Sequence, residues 1–152
     1  MTFPNVFQSA VIDALTDRIE HLRPDTRPQW GVMSATRMLA HCCVAYEMVF
    51  EQKHPRPNPL MRFMLRLAVK QGVVGDAPYK RNTRTAPAFI IRDERNFETE
   101  KQRLVVYLRR VQLMGERQFE GKESLSFGPL TAHEWNVLFY KHLHHHLTQF
   151  GV

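Results

Sequence analysis

The chain is short of cysteine, and the two it has, Cys42 and Cys43, are neighbours in the sequence. Adjacent cysteines are poorly spaced for a structural bridge, so a disulfide-stapled scaffold is excluded and free thiols in a reducing compartment are expected. Long apolar runs are also missing. The richest stretch, residues 60–69, is interrupted by Arg62 and Arg66, well short of the ~18 to 20 uncharged residues that a membrane span needs. The first twenty residues carry Asp13, Asp17 and Glu20 and no basic cluster ahead of an apolar core; no secretory leader is expected, and the cytoplasm is the expected compartment. No apolar/polar alternation exceeds four residues, and there is no repeat or low-complexity segment, which leaves little room for a sheet.

What is present is material for one core. The 152 residues, 43% of them hydrophobic, suffice for a single domain spanning 1–152 without staples. The net charge of +6 is unevenly spread. Residues 53–84 hold eight basic side chains (Lys53, Arg56, Arg62, Arg66, Lys70, Lys80, Arg81 and Arg84) against the single acid Asp76, a local net charge of +7. Such a block points to nucleic acid, an anionic surface or an anionic small ligand without choosing among them.

Periodicity predicts five helices. Phe7, Val11, Leu15, Ile19 and Leu22 recur at three- and four-residue steps in a first helix that ends before Pro24. Ser34 is placed to cap a second, which carries Met38, His41, Cys42, Ala45, Tyr46 and Val49 and is stopped by Pro55, Pro57 and Pro59. A third, over residues 60–71, separates Arg62, Arg66 and Lys70 from Phe63, Met64 and Leu67. A loop is expected over residues 72–92, and loops of that length tend to be functional. A fourth helix is expected over 93–119, and Thr131 with Glu134 forms a capping box that starts a fifth, running to about residue 150. The expected class is all-α, in the form of a four-helix bundle with one additional short helix and a long loop.

Five of the eight histidines lie between His133 and His146. At about 100° per residue from Trp135, Phe139, Leu143 and Phe150 fall near 40°, 80° and 60°, defining the buried face, with His142 near 340° and His146 near 20° on it. His144, near 180°, faces water, and His145, near 280°, sits on the border. Two inward imidazoles at i and i+4 suit one metal ion. Buried without partners they would be costly, and ligation satisfies both. An expression tag is excluded because Leu143 interrupts the run and Leu147, Gln149 and Phe150 continue in helical phase. His41, at the margin of the second helix's buried face, is the candidate third ligand. Cys42 is a competing ligand, more simply read as a small buried residue. His21 and His54, beside prolines at helix ends, are expected at the surface.

The stretches Ser34-Ala35-Thr36-Arg37-Met38-Leu39-Ala40-His41-Cys42 and Phe127-Gly128-Pro129-Leu130-Thr131, with Glu134-Trp135 and the run from Tyr140-Lys141-His142 through His146-Leu147-Thr148-Gln149-Phe150-Gly151, resemble the DinB/YfiT-like superfamily of bacterial metal-binding four-helix bundles. The resemblance spans nearly the whole chain in layout. It implies that His41, His142 and His146 bind a divalent metal, the same three that helical phase selects. It also implies thiol-dependent transferase or isomerase chemistry, with a low-molecular-weight thiol as cofactor.

Three neutral imidazoles would leave an ion its full charge and an open position, so that a water or thiol could be acidified there. The expected function is therefore a metal-dependent transferase or hydrolase; the alternative is a non-catalytic, stress-related metal-binding protein. Zinc, nickel, iron and copper all suit three histidines. Arg62, Lys80, Arg81 and Arg84 are candidates to bind a carboxylate or phosphate of the substrate. Expected partners are a small, anionic substrate and, as an option, a second copy of the chain. Nucleic acid is not expected, and a nucleic-acid or membrane-surface role ranks last, because only Phe63 and Tyr79 interrupt the basic run.

Overall fold

The structure, a computed structural model, describes residues 3–152. It is mostly helical, with α1 (Ser9–Glu20), α2 (Ala35–Phe50), α3 (Pro59–Ala68), α4 (Lys70–Val74), α5 (Phe97–Met114) and α6 (Ala132–Gln149). Between α5 and α6 lies a two-stranded antiparallel hairpin, β1 (Lys122–Ser124) and β2 (Gly128–Leu130), in which Lys122 pairs with Leu130 and Ser124 with Gly128.

The helix starts are set by side-chain caps. Ser34 Oγ accepts from the amide of Arg37, Asn58 Oδ1 from that of Met61, and Asn96 Oδ1 from that of Thr99. At α6 the capping box forms as expected: Thr131 Oγ1 accepts from the Glu134 amide at 3.1 Å, and the Glu134 carboxylate accepts from the Thr131 amide at 3.0 Å. Each such cap is worth about 1 kcal/mol.

Long α2 packs along α5, and α6 contacts α1, α2 and α4. The core between them is aromatic. Tyr46 stacks on Tyr107 and Phe139, Phe139 stacks on Trp135, and Phe119 meets both Trp135 and Phe139 edge-on. Trp135, Phe139, Leu143 and Phe150, the stripe predicted for the last helix, are all buried. A second bond between α2 and α5 is ionic: the Arg103 guanidinium holds both Glu47 and Glu100, carboxylates that are themselves buried.

Three expectations need correcting. The single third helix is two: α3 ends at Ala68, Val69 (φ −114°, ψ −37°) stands between them, and α4 follows as far as the buried Val74. The helix expected over 93–119 begins later, at the Asn96 cap, and ends at Gly115, whose φ of 74° no helix continues through. The hairpin leaves no pattern in the sequence, because its strands are three residues long, too short for alternation to register; the turn spans residues 125–127, and Gly128 opens β2 at φ 79°.

Candidate metal centre

His41 comes from the middle of α2, and His142 and His146 come from the second half of α6. The two helices are neighbours, and the three imidazoles meet between them. One ring nitrogen from each lies within 4.8 Å of the other two. The ring centroids are 4.9 Å (His41 to His142), 4.6 Å (His41 to His146) and 5.0 Å (His142 to His146) apart, a nearly equilateral arrangement. His41 and His146 are buried, and His142 is half-buried.

Hydrogen bonds decide which nitrogens are free. His41 Nδ1 lies 2.9 Å from the carbonyl oxygen of Phe89; a carbonyl only accepts, so Nδ1 carries the hydrogen and Nε2 presents its lone pair. The Gln149 amide nitrogen donates to the Trp30 carbonyl at 2.7 Å, which leaves its oxygen to face His146 Nδ1 at 2.8 Å. His146 Nδ1 is therefore also a donor and its Nε2 is also free. His41 Nε2 and His142 Nε2 stand 2.9 Å apart, so in the metal-free protein His142 donates to His41, and an ion would take the place of that proton. Acceptors behind the ligating rings are the usual companions of metal-bound histidine, because they fix the tautomer and the ring angle.

Electrostatics keep the three rings neutral, the form that binds a metal. Burial pushes His41 below the ordinary imidazole value despite its bond to Phe89. It pushes His142 well below, with His41 and His146 adding repulsion, and it brings His146 down to about 3.

Two features hold this arrangement. Gly31, at φ +78°, leaves room for Gln149: a Cβ there would stand 2.9 Å from the Gln149 amide nitrogen. Lys141, buried beside His142, donates from Nζ to the carbonyls of Gly72, Gly75 and Ala77 at 3.0, 2.6 and 3.1 Å. That clamp fixes the start of the long loop to α6, and the loop then supplies Tyr79 and Phe89, whose rings stand edge-on to His142. Phe89, Gln149, Gly31 and Lys141 escaped the sequence reading. Only Gln149, three residues after His146 and so on the same helix face, left a signal there.

The other candidates separate clearly. Cys42 points into the core, its thiol donating to Met38 Sδ at 3.7 Å, and burial raises its pKa well above the ordinary value. Both cysteines are free. His144 is exposed and bonds Arg18; His145 stands at the rim, edge-on to Trp30 and Tyr79. His21 is exposed, as expected. His54 is not a free surface residue: it is half-buried and pairs with Glu47 at 2.9 Å. Of the four basic candidates, Arg81 reaches the rim, its guanidinium 4.1 Å over the Trp30 ring, with no carboxylate partner among the described residues. Arg62 is instead engaged by Glu123 on the hairpin, at the other end of α6. Lys80 and Arg84 are exposed.

No family model, curated protein or solved structure matches the chain.

Proposed function

We propose that this protein is a divalent-metal-dependent enzyme whose ion is held by His41, His142 and His146, within a four-helix bundle of the DinB-like kind. The observation that carries the reading is the pair of oriented donors: His41 and His146 each give their Nδ1 hydrogen to an oxygen, which leaves both Nε2 lone pairs free, and one ring nitrogen from each of the three histidines lies within 4.8 Å of the other two. The chemistry of the donor set fits zinc, nickel, iron or copper. A bound ion, held by these three neutral imidazoles, would supply Lewis acidity to a water or thiol.

The protein's own residues would do the rest. Phe89, Tyr79 and Trp30 form an aromatic rim that limits water, and Arg81, stacked on Trp30, offers a guanidinium to a carboxylate or phosphate. The reaction class we favour is thiol-dependent group transfer, with hydrolysis next. Enclosure of His41 beneath Phe89 also favours a second reading, a protein that holds its metal without turnover.

The test starts from untagged protein. Elemental analysis and titration should find one ion per chain; His144→Ala should keep it, and His146→Ala should lose it with at least about a hundredfold drop in affinity, more than is seen when only an outer-shell partner is removed. Equal behaviour of the two variants would refute the site. Binding of a panel of low-molecular-weight thiols to the loaded protein then separates enzyme from metal holder.

A further inference from the structure

Helix α3 is built inside out. None of its ten residues is buried, yet Leu60, Phe63 and Leu67 are among its side chains and are 73%, 57% and 65% exposed. With Phe63 at 0°, Leu67, Leu60 and Met64 fall at about 40°, 60° and 100°, one continuous apolar stripe. The opposite side carries Arg62, which turns inward to Glu123, and the half-buried Leu65. A helix on a globular protein ordinarily turns such a stripe to the core. Here the stripe faces out.

The unpaired charge on the helix says what covers it. Four of the eight basic side chains in residues 53–84 are already paired, Lys53 with Glu51, Arg56 and Arg62 with Glu123, and Lys70 with Glu134, but Arg66 on the helix itself is exposed with no carboxylate partner among the described residues, as are Lys80 and Arg84 farther along the chain. A second copy docked on this stripe would bring two such basic segments together. An anionic bilayer surface offers the complement to both features: an acyl boundary for the stripe and phosphates for the flanking cations. The helix, about 15 Å long, is of a size to lie in the interface, and no helix among the described residues is long and apolar enough to span. It is also formed in advance, because Asn58 caps it and Pro59 occupies its first turn, so docking need not fold it.

We infer that α3 docks the protein on anionic phospholipid membranes, with Leu60, Phe63, Met64 and Leu67 inserted and Arg66 and its basic neighbours on the headgroups. This stands apart from the metal reading, since none of the inserted side chains belongs to the metal centre.

Co-sedimentation with vesicles tests it. The protein should bind vesicles of equal parts phosphatidylglycerol and phosphatidylcholine, bind pure phosphatidylcholine weakly, and release as salt is raised, because exposed charges are screened beyond roughly 10 Å at 0.1 M. Phe63→Gln with Leu67→Gln should weaken binding about tenfold or more with metal content unchanged. Phe63→Trp should show a blue-shifted emission with the anionic vesicles alone. Absence of vesicle binding, or binding indifferent to the Gln pair, would overturn the inference. So would a dimer in sedimentation equilibrium that the Gln pair dissolves, which would assign the stripe to a second copy.

Discussion

The inward face of α6 and the outward face of α3 break opposite rules. Between α6 and α2, polar rings are turned inward, and each is compensated: His142 and His146 of α6 by His41 and Gln149, and His41 of α2 by the Phe89 carbonyl. On α3, apolar side chains are exposed, and nothing within the chain compensates them. A buried polar group must find its partners inside the protein, since leaving it bare costs about 1 to 3 kcal/mol. An exposed apolar group has no such obligation. The first exception is where we propose that a small ion completes the site, and the second where we infer that something large covers the surface.

Acid should break the compensated region first. Burial brings His146 from the ordinary imidazole value of 6.5 down to about 3 and lowers His41 and His142 as well. Between those two pH values the unfolded chain binds protons that the folded chain refuses. Stability is therefore full above about pH 6.5 and falls as the pH is lowered towards 3. For the metal-free protein at pH 4 the loss through His146 alone is on the order of 3 kcal/mol, at 1.36 kcal/mol per pKa unit. Urea midpoints measured from pH 7 to pH 4 should fall steeply, and His146→Gln should flatten the fall. A pH-independent midpoint would mean that the rings are not buried as neutral imidazoles.

The next effect is on the partners behind the ring. Gln149→Leu removes the acceptor of the His146 Nδ1 hydrogen and keeps the helix; metal affinity should drop about 10- to 100-fold. Gly31→Ala should act in the same direction by crowding the Gln149 amide and straining a backbone at φ +78°. Competition with a chromophoric chelator reads both. Unchanged affinity in the Gln149 variant would leave His146 oriented by helix packing alone.

The regions also differ in how far the sequence discloses them. Helical period places His142 and His146 inward and His144 outward because Trp135, Phe139 and Leu143 fix the buried direction within the same helix. The acceptor for His41 is a backbone carbonyl 48 residues away, in a loop with no period, and a carbonyl carries no residue signature. His54, followed by Pro55, reads as a surface residue because its partner Glu47 lies seven residues back, inside α2, and the chain leaves that helix between them at Glu51 (ψ 144°). For α3 the sequence separates an arginine face from an apolar face. Which of the two meets the rest of the molecule depends on Glu123 and the hairpin, whose three-residue strands leave no pattern.

The smallest expected effect lies on α3 and sharpens the contrast most. Truncating a core aromatic such as Phe139, 1% exposed and stacked on Tyr46 and Trp135, would cost about 3 to 5 kcal/mol through lost transfer energy and the cavity left behind. Phe63 and Leu67 have no such cavity to leave, because more than half of each is already in water. Replacing both with Gln should therefore change folding stability by no more than about 0.5 kcal/mol, and removing an exposed apolar patch should improve solubility. Urea unfolding of the double variant checks this, with the slope as a second readout, since slope follows the area exposed on unfolding. A loss of 2 kcal/mol or more would show that α3 folds back on the protein in solution. The stripe would then be part of the core after all, and the distinction between the two regions would collapse.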